Sequence, residues 1–338
     1  MRCSSGLLNT AAGGEWGKIV AEAGRLVNYS AGGSLSFRWL LSGEVADAAF
    51  TLRKLIGTNH PLLKTARELL YNGEKHPIQT RGLIVLLVAR AGNEAVYAAG
   101  GARAEAEEEE SGVTANQRSL SDILEVISTA NLIHRGVLNQ WEMTDSQTYD
   151  SLNVGNKLAI LGGDYLLAKA STTLAKIGNV KVTESVAAAI ADMTQAEYVG
   201  VWDAERREHR VTDLAQWESR AFLASGSLLA RTCLACLQLV SAADSLKQKA
   251  FQLGSHLSTA LELSQYLLAL QRPTDSVGAE RSTTSAFSPV ASCEDLQQCL
   301  SFHCDKSRHE LSAFPLGRTV DSLVRLIEAM KTPSTVPT

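Results

Sequence analysis

Two groups of soft ligands stand out first. Cys233 and Cys236 form a C-x-x-C pair. Zinc or thiol redox chemistry would need a second ligand pair or a strand-to-helix turn beside it, and the sequence supplies neither, so buried thiols on one face of a helix are expected. Cys293, Cys299 and Cys304 lie near His303 and His309, but their spacing fits no standard zinc pattern, so no metal is expected there either. The run Glu107–Glu110 is a like-charge block flanked by small residues, read as a solvated loop. The isolated groups are Arg81, suited by its planar fork to phosphate, and His134, Asp164 and Glu262. The last three are read as a hydrogen-bonded histidine, a buried hydrogen-bond partner and a structural or solvated acid.

Helices must position these groups. Of 338 residues, 45% are hydrophobic and only 6% aromatic, with Leu and Ala abundant, a balance that favours helix on helix. Apolar periodicity predicts helices within Trp16–Leu70 (notably Ser36–Ile56 and Leu62–Tyr71), then Arg81–Ala91, Ser119–Asn139, Gly155–Ile177 and Thr183–Val199. Further helices are predicted over Trp217–Ala243, Ser245–Gln271, Glu294–Ala313 and Leu316–Met330. Low-complexity loops are read at 92–115 and 273–289, and polar loops at Gln140–Val154 and Trp202–Thr212. No segment alternates with period two over a useful length. The expected fold is all-α, a large bundle of about ten helices. It forms a single domain over 16–330, between a weak targeting or disordered segment at 1–15 and a frayed tail at 331–338.

With 32 Lys+Arg against 36 Asp+Glu the net charge is −4, which argues against a nucleic-acid partner. Charges and glycines interrupt the apolar stretches, so no transmembrane segment is expected, although membrane-surface association stays open.

The segment Gly155-Asn156-Lys157-Leu158-Ala159-Ile160-Leu161-Gly162-Gly163-Asp164-Tyr165-Leu166-Leu167-Ala168-Lys169-Ala170 resembles a signature of the trans-isoprenyl diphosphate synthases. The preceding Leu124–His134 resembles the family's approach to its first aspartate-rich motif, and the resemblance runs from about Trp16 to Leu270. It implies the isoprenoid-synthase bundle, in which two D-D-x-x-D motifs hold Mg²⁺ against an ionising allylic diphosphate.

This chain departs from that pattern. The first motif's place holds Arg135-Gly136-Val137-Leu138-Asn139 and the second's Gln265-Tyr266-Leu267-Leu268-Ala269, and no Asp-Asp pair occurs anywhere. Of the family's stretch for isopentenyl diphosphate only Arg81 matches, as a possible residual diphosphate contact, and Glu218-Ser219-Arg220-Ala221 replaces a lysine–threonine pair. The stretch between Gln271 and Cys293 is shorter than the family's usual helices there.

The resemblance therefore implies a subunit without catalytic residues or a metal of its own, in a hetero-oligomer with a catalytic polyprenyl diphosphate synthase subunit that holds the Mg²⁺. Such enzymes make the ubiquinone side chain, which implies a mitochondrial location. Gly162, Gly163, Tyr165, Leu166 and Leu167 are the expected interface. The alternatives are a self-sufficient prenyltransferase with unusual metal ligands and a helical scaffold or lipid-handling protein.

Overall fold

A computed structural model describes residues 12–29, 77–101, 111–138, 146–204, 208–271 and 291–332. The predicted helices 36–56 and 62–71, the acidic run Glu107–Glu110, the linker 273–289 and the tail beyond 332 lie outside the described residues.

The elements are α1 (Ala12–Leu26), α2 (Pro77–Ala98), α3 (Ala115–His134), α4 (Ser146–Ile177), α5 (Val180–Ala196), β1 (Val201–Asp203) and β2 (Glu208–Arg210). After β2 come α6 (Leu214–Ala221), a π-helical turn (Phe222–Gly226), α7 (Ser227–Leu239), α8 (Asp244–Gln271), α9 (Cys293–Leu311) and α10 (Arg318–Lys331). The chain divides into two compact units: unit 1 comprises Met1–Tyr29, Leu83–Ser121 and Asn179–Thr338, and unit 2 comprises Ser30–Gly82 and Asp122–Gly178.

In unit 1, α8 packs against α7 and α9, α7 packs against α5, and α10 joins α1 to α9. Leu83 through Ala89 on α2 are buried without a break, as in a helix that is apolar all round. Gly254 lets α8 approach α7 closely, since a β-carbon there would lie 2.8 Å from the Cα of Ala230. Two arginines close the C-terminal end of α1: Arg90 donates to the carbonyl of Leu26 and Arg118 to that of Val27 at 2.8 Å.

One buried amide pair ties three helices together. Asn93 Nδ2 donates to Gln117 Oε1, and Gln117 Nε2 donates back to Asn93 Oδ1, both at 2.9 Å. Gln117 Nε2 also reaches the carbonyl of Cys236 at 3.0 Å. Both side chains are buried, so their polar atoms find no water to replace a lost partner.

Several boundaries differ from the sequence reading. Helix α2 runs on to Ala98, so the loop read at 92–115 begins later, and its end (Ser111 and Val113) is buried. Helix α4 starts at Ser146, inside the stretch read as a polar loop. The side chain of Asn179, not Thr183, caps α5 by accepting from Val182 N at 3.2 Å. An antiparallel hairpin pairs Trp202 with His209 inside the stretch read as loop. One continuous helical stretch, Leu214–Leu239, is long and apolar enough by composition to cross a membrane, with mean hydropathy 1.4. More than half of it is buried inside the protein, as a core helix would be.

Gln117→Leu keeps the bulk but strands the Asn93 amide and the Cys236 carbonyl. Urea denaturation should show a loss of about 2–4 kcal/mol, whereas Gln195→Ala on the exposed face of α5 should stay within about 0.5 kcal/mol of the parent.

Candidate functional site

The place of the first aspartate-rich motif lies in unit 2, just past the end of α3. The predicted helix to Asn139 stops at His134, and Arg135 and Gly136 form a turn, with Gly136 N donating to the Ile133 carbonyl at 3.0 Å. Asn156 on α4 secures the chain beyond that turn. Its Oδ1 accepts from Leu138 N at 2.8 Å and its Nδ2 donates to Leu138 O at 2.7 Å. Arg135 is exposed, Gly136 is buried, Val137 packs against the cluster of Ala130, Ile133, Ala159 and Leu166, and Asn139 lies outside the described residues.

His134 fits over Gly163. A β-carbon on Gly163 would lie 2.1 Å from His134 Nε2, so only glycine admits the ring. That nitrogen lies 3.2 Å from the Ile160 carbonyl and 3.3 Å from Asp164 Oδ1. Asp164 thus stands beside the His134 ring, exposed rather than buried as expected, because it sits on the solvent side of α4.

The expected interface residues separate by face. Gly163 and Leu166 turn into unit 2's own core, and the half-buried Leu167 packs against it. Nothing stands within 4 Å of a β-carbon on Gly162, and Tyr165 is exposed beside Ile160 and Leu161. Helical spacing explains the split, since 159, 163, 166 and 170 share one face and 161, 165 and 168 another. Arg81 is half-buried near the start of α2.

The place of the second motif lies in unit 1, inside α8, which continues without a break to Gln271. Tyr266 and Leu267 are buried and Gln265 and Leu268 are half-buried, while the side chain of Ala269 is outside the described set. The Tyr266 ring lies 6.2 Å from that of Trp217 on α6, tilted by 31°. Burial raises the Tyr266 phenol above its ordinary range. Glu262, one turn earlier, accepts from Ser225 Oγ at 3.0 Å.

Mg²⁺ demands several oxygen ligands, chiefly carboxylates and water. The residues at these two places do not fit it. Among the described residues neither place offers a carboxylate: the first holds Arg135, Gly136, Val137 and the Leu138 backbone that Asn156 already binds, the second an amide (Gln265), the Tyr266 phenol and two leucines.

The cysteines resolve differently. Cys233 and Cys236 are buried free thiols on α7, and burial pushes the Cys233 thiol up to about 12. Of the C-terminal group, Cys299 and His303 meet Glu218 of α6. Cys299 Sγ donates to Glu218 Oε1 at 3.3 Å, and His303 Nε2 lies 2.9 Å from the same oxygen. His303 Nδ1 lies 3.0 Å from Nδ1 of His256 on α8. Burial, then the Glu218 hydrogen bond, pushes the Cys299 thiol up to about 12. Burial, then His303, lowers His256 to about 4, so it is neutral at neutral pH. Cys304 is buried and His309 exposed, and neither joins this cluster. Only the i, i+4 spacing of Cys299 and His303 was readable in advance. Glu218 and His256 are distant in sequence and carry no local signal.

The Polyprenyl synthetase family model matches residues 62–276. The chain belongs to the polyprenyl synthetase family. It is 37% identical over 253 residues to "All trans-polyprenyl-diphosphate synthase PDSS2" of Mus musculus, a match covering 74% of this chain and 62% of that protein. It is 26% identical over 305 residues to "Probable hexaprenyl pyrophosphate synthase, mitochondrial" of Neurospora crassa, covering 78% of this chain and 67% of that one. The solved geranylgeranyl pyrophosphate synthetase of the archaeon Geoglobus acetivorans shares the fold at a TM-score of 0.61 and 14% identity, over 94% of this chain and 99% of that one. The all-α expectation holds, with the small hairpin added. The chain spans about 62% of the length of its mouse relative.

The two adjacent glycines of the family signature separate packing from propensity. Gly163→Ala should cost about 1–3 kcal/mol in a denaturation curve by driving a methyl into His134. Gly162→Ala should be neutral or stabilising by up to about 1 kcal/mol.

Proposed function

We propose that this chain is a non-catalytic subunit of a hetero-oligomeric all-trans-polyprenyl diphosphate synthase that supplies the ubiquinone side chain in mitochondria. The observation that carries the reading is the residue content of the two motif places. Arg135 to Asn139 and Gln265 to Ala269 contain no acid in a chain that otherwise keeps the family's scaffold. Such a chain binds no Mg²⁺ through either motif, and the catalytic partner supplies the ion. The names of the mouse and Neurospora relatives support the substrate class, and the latter the compartment.

The partner surface is placed on the exposed face of α4, where Ile160, Leu161 and Tyr165 are 45%, 55% and 41% exposed. An obligate heteromer would bury this apolar stripe within an interface of about 2,000 Å² or more. Arg81 is retained in the proposal as a residual diphosphate contact, through the fork geometry of its guanidinium.

Co-expression with a catalytic synthase subunit from the same cell tests the reading. Long-chain polyprenyl diphosphate should form with both chains and fall at least tenfold when this one is omitted. Leu161→Glu should abolish co-purification without lowering the melting temperature of this chain. Unchanged product on omission would overturn the proposal. Turnover by this chain alone would mark it as a self-sufficient prenyltransferase, and co-purification with no synthase would leave a scaffold or lipid-handling role.

A further inference from the structure

The proposed function leaves one cluster of unit 1 unused. Glu218 on α6 faces Cys299 and His303 on α9, and a ligand atom of each lies within 4.8 Å of the other two. The cysteine and histidine stand four residues apart, so one helical face presents both. Asp213 caps the short α6 by accepting from Gln216 N at 2.8 Å, which fixes the turn that carries Glu218. Among the described residues no lysine or arginine pairs with the Glu218 carboxylate. Arg220, two positions on, turns instead to Glu197 and to the His209 carbonyl. A half-buried carboxylate therefore faces a thiol and an imidazole.

We infer that Glu218, Cys299 and His303 form a binding site for a borderline-soft divalent transition ion of the Zn²⁺ class. Tetrahedral zinc with ordinary bond lengths places neighbouring ligand atoms about 3.3–3.6 Å apart. The observed separations of 3.3 Å (Sγ to Oε1) and 2.9 Å (Nε2 to Oε1) would widen slightly, and Sγ and Nε2, which lie within 4.8 Å of each other, would settle to the same spacing. One sulfur, one nitrogen and one oxygen ligand suit zinc rather than Mg²⁺ or Ca²⁺, which take oxygen. Three protein ligands leave the fourth position to water.

His256 completes the arrangement from α8. Without metal, the contacts are satisfied if Cys299 and His303 Nε2 donate to Glu218 while His256 Nδ1 donates to His303 Nδ1. On binding, the thiol proton is released to solvent and sulfur coordinates as thiolate. The Nε2 lone pair of His303 turns to the metal, and its proton moves to Nδ1, which donates to His256 Nδ1. The His256 proton then resides on Nε2. One proton leaves per ion, and a metal-bound histidine gains the outer hydrogen bond that such ligands ordinarily have. The ion would clamp α6 to α9 and so fix Trp217, the neighbour of Glu218, against Tyr266.

The test is cobalt titration of the metal-stripped 338-residue chain in a non-thiol reductant. One equivalent of Co²⁺ should produce a thiolate-to-cobalt charge-transfer band with strong four-coordinate d–d bands, both bleached by Zn²⁺. Cys299→Ser should remove the charge-transfer band, while Cys304→Ser on the same helix should leave it. Glu218→Gln, which keeps the hydrogen-bonding shape, and His303→Gln should each weaken binding at least tenfold at unchanged helical circular dichroism. His256→Gln should weaken it by about 10- to 100-fold. If the Cys299 variant fails to fold, the Glu218→Gln titration still decides. A folded parent chain with no saturable cobalt spectrum overturns the site. So does a charge-transfer band that survives Cys299→Ser, or undiminished affinity in Glu218→Gln.

Discussion

An allylic diphosphate that ionises leaves concentrated negative charge on its leaving group. A helical scaffold offsets much of that charge by holding divalent cations, which need several carboxylate oxygens at once. This requirement dictates what the rest of the molecule can be. The described residues at its two motif places carry no acid: the first place is a turn after α3 and the second lies within α8. After α3 the backbone of Leu138 is gripped from both sides by Asn156. Within α8 a tyrosine and a leucine are buried, the tyrosine against Trp217. Among the described residues neither place presents a carboxylate.

The scaffold survives because its fold-determining contacts lie elsewhere. In unit 2 the seat of His134 on Gly163 sets how closely α3 and α4 approach, and Ala130, Ile133, Ala159 and Leu166 fill the space beside it. In unit 1 the Asn93–Gln117 amide pair and the two arginines that close α1 satisfy polar groups that burial would otherwise penalise. None of these contacts needs a metal. The absence of acids at the motif places and retention of the fold are therefore compatible. The face of α4 that bears Ile160, Leu161 and Tyr165 remains exposed.

Much of the fold was legible because long amphipathic helices announce themselves by period. The cores of α3, α4, α7 and α8 were read close to where they lie. The failures have local causes. The first turns of α4, Ser146 to Asn153, are rich in polar residues of low helix propensity, so their helical state carried no signal in the sequence. Strands of three residues are too short to show alternation, so the hairpin around Trp202 and His209 passed as loop. The motif substitutions were readable in sequence because a missing aspartate is visible without coordinates. The grip of Asn156 on Leu138 and the meeting of Glu218 with Cys299 and His303 were not, because they join residues 18 and more than 80 positions apart.

Calorimetric titration of Mg²⁺ into this chain with a non-hydrolysable allylic diphosphate analogue addresses the central claim most directly. The account predicts no saturable, Mg²⁺-dependent heat for the isolated chain, with such heat appearing once a catalytic synthase subunit is present. Saturable Mg²⁺-dependent binding by this chain alone would contradict it.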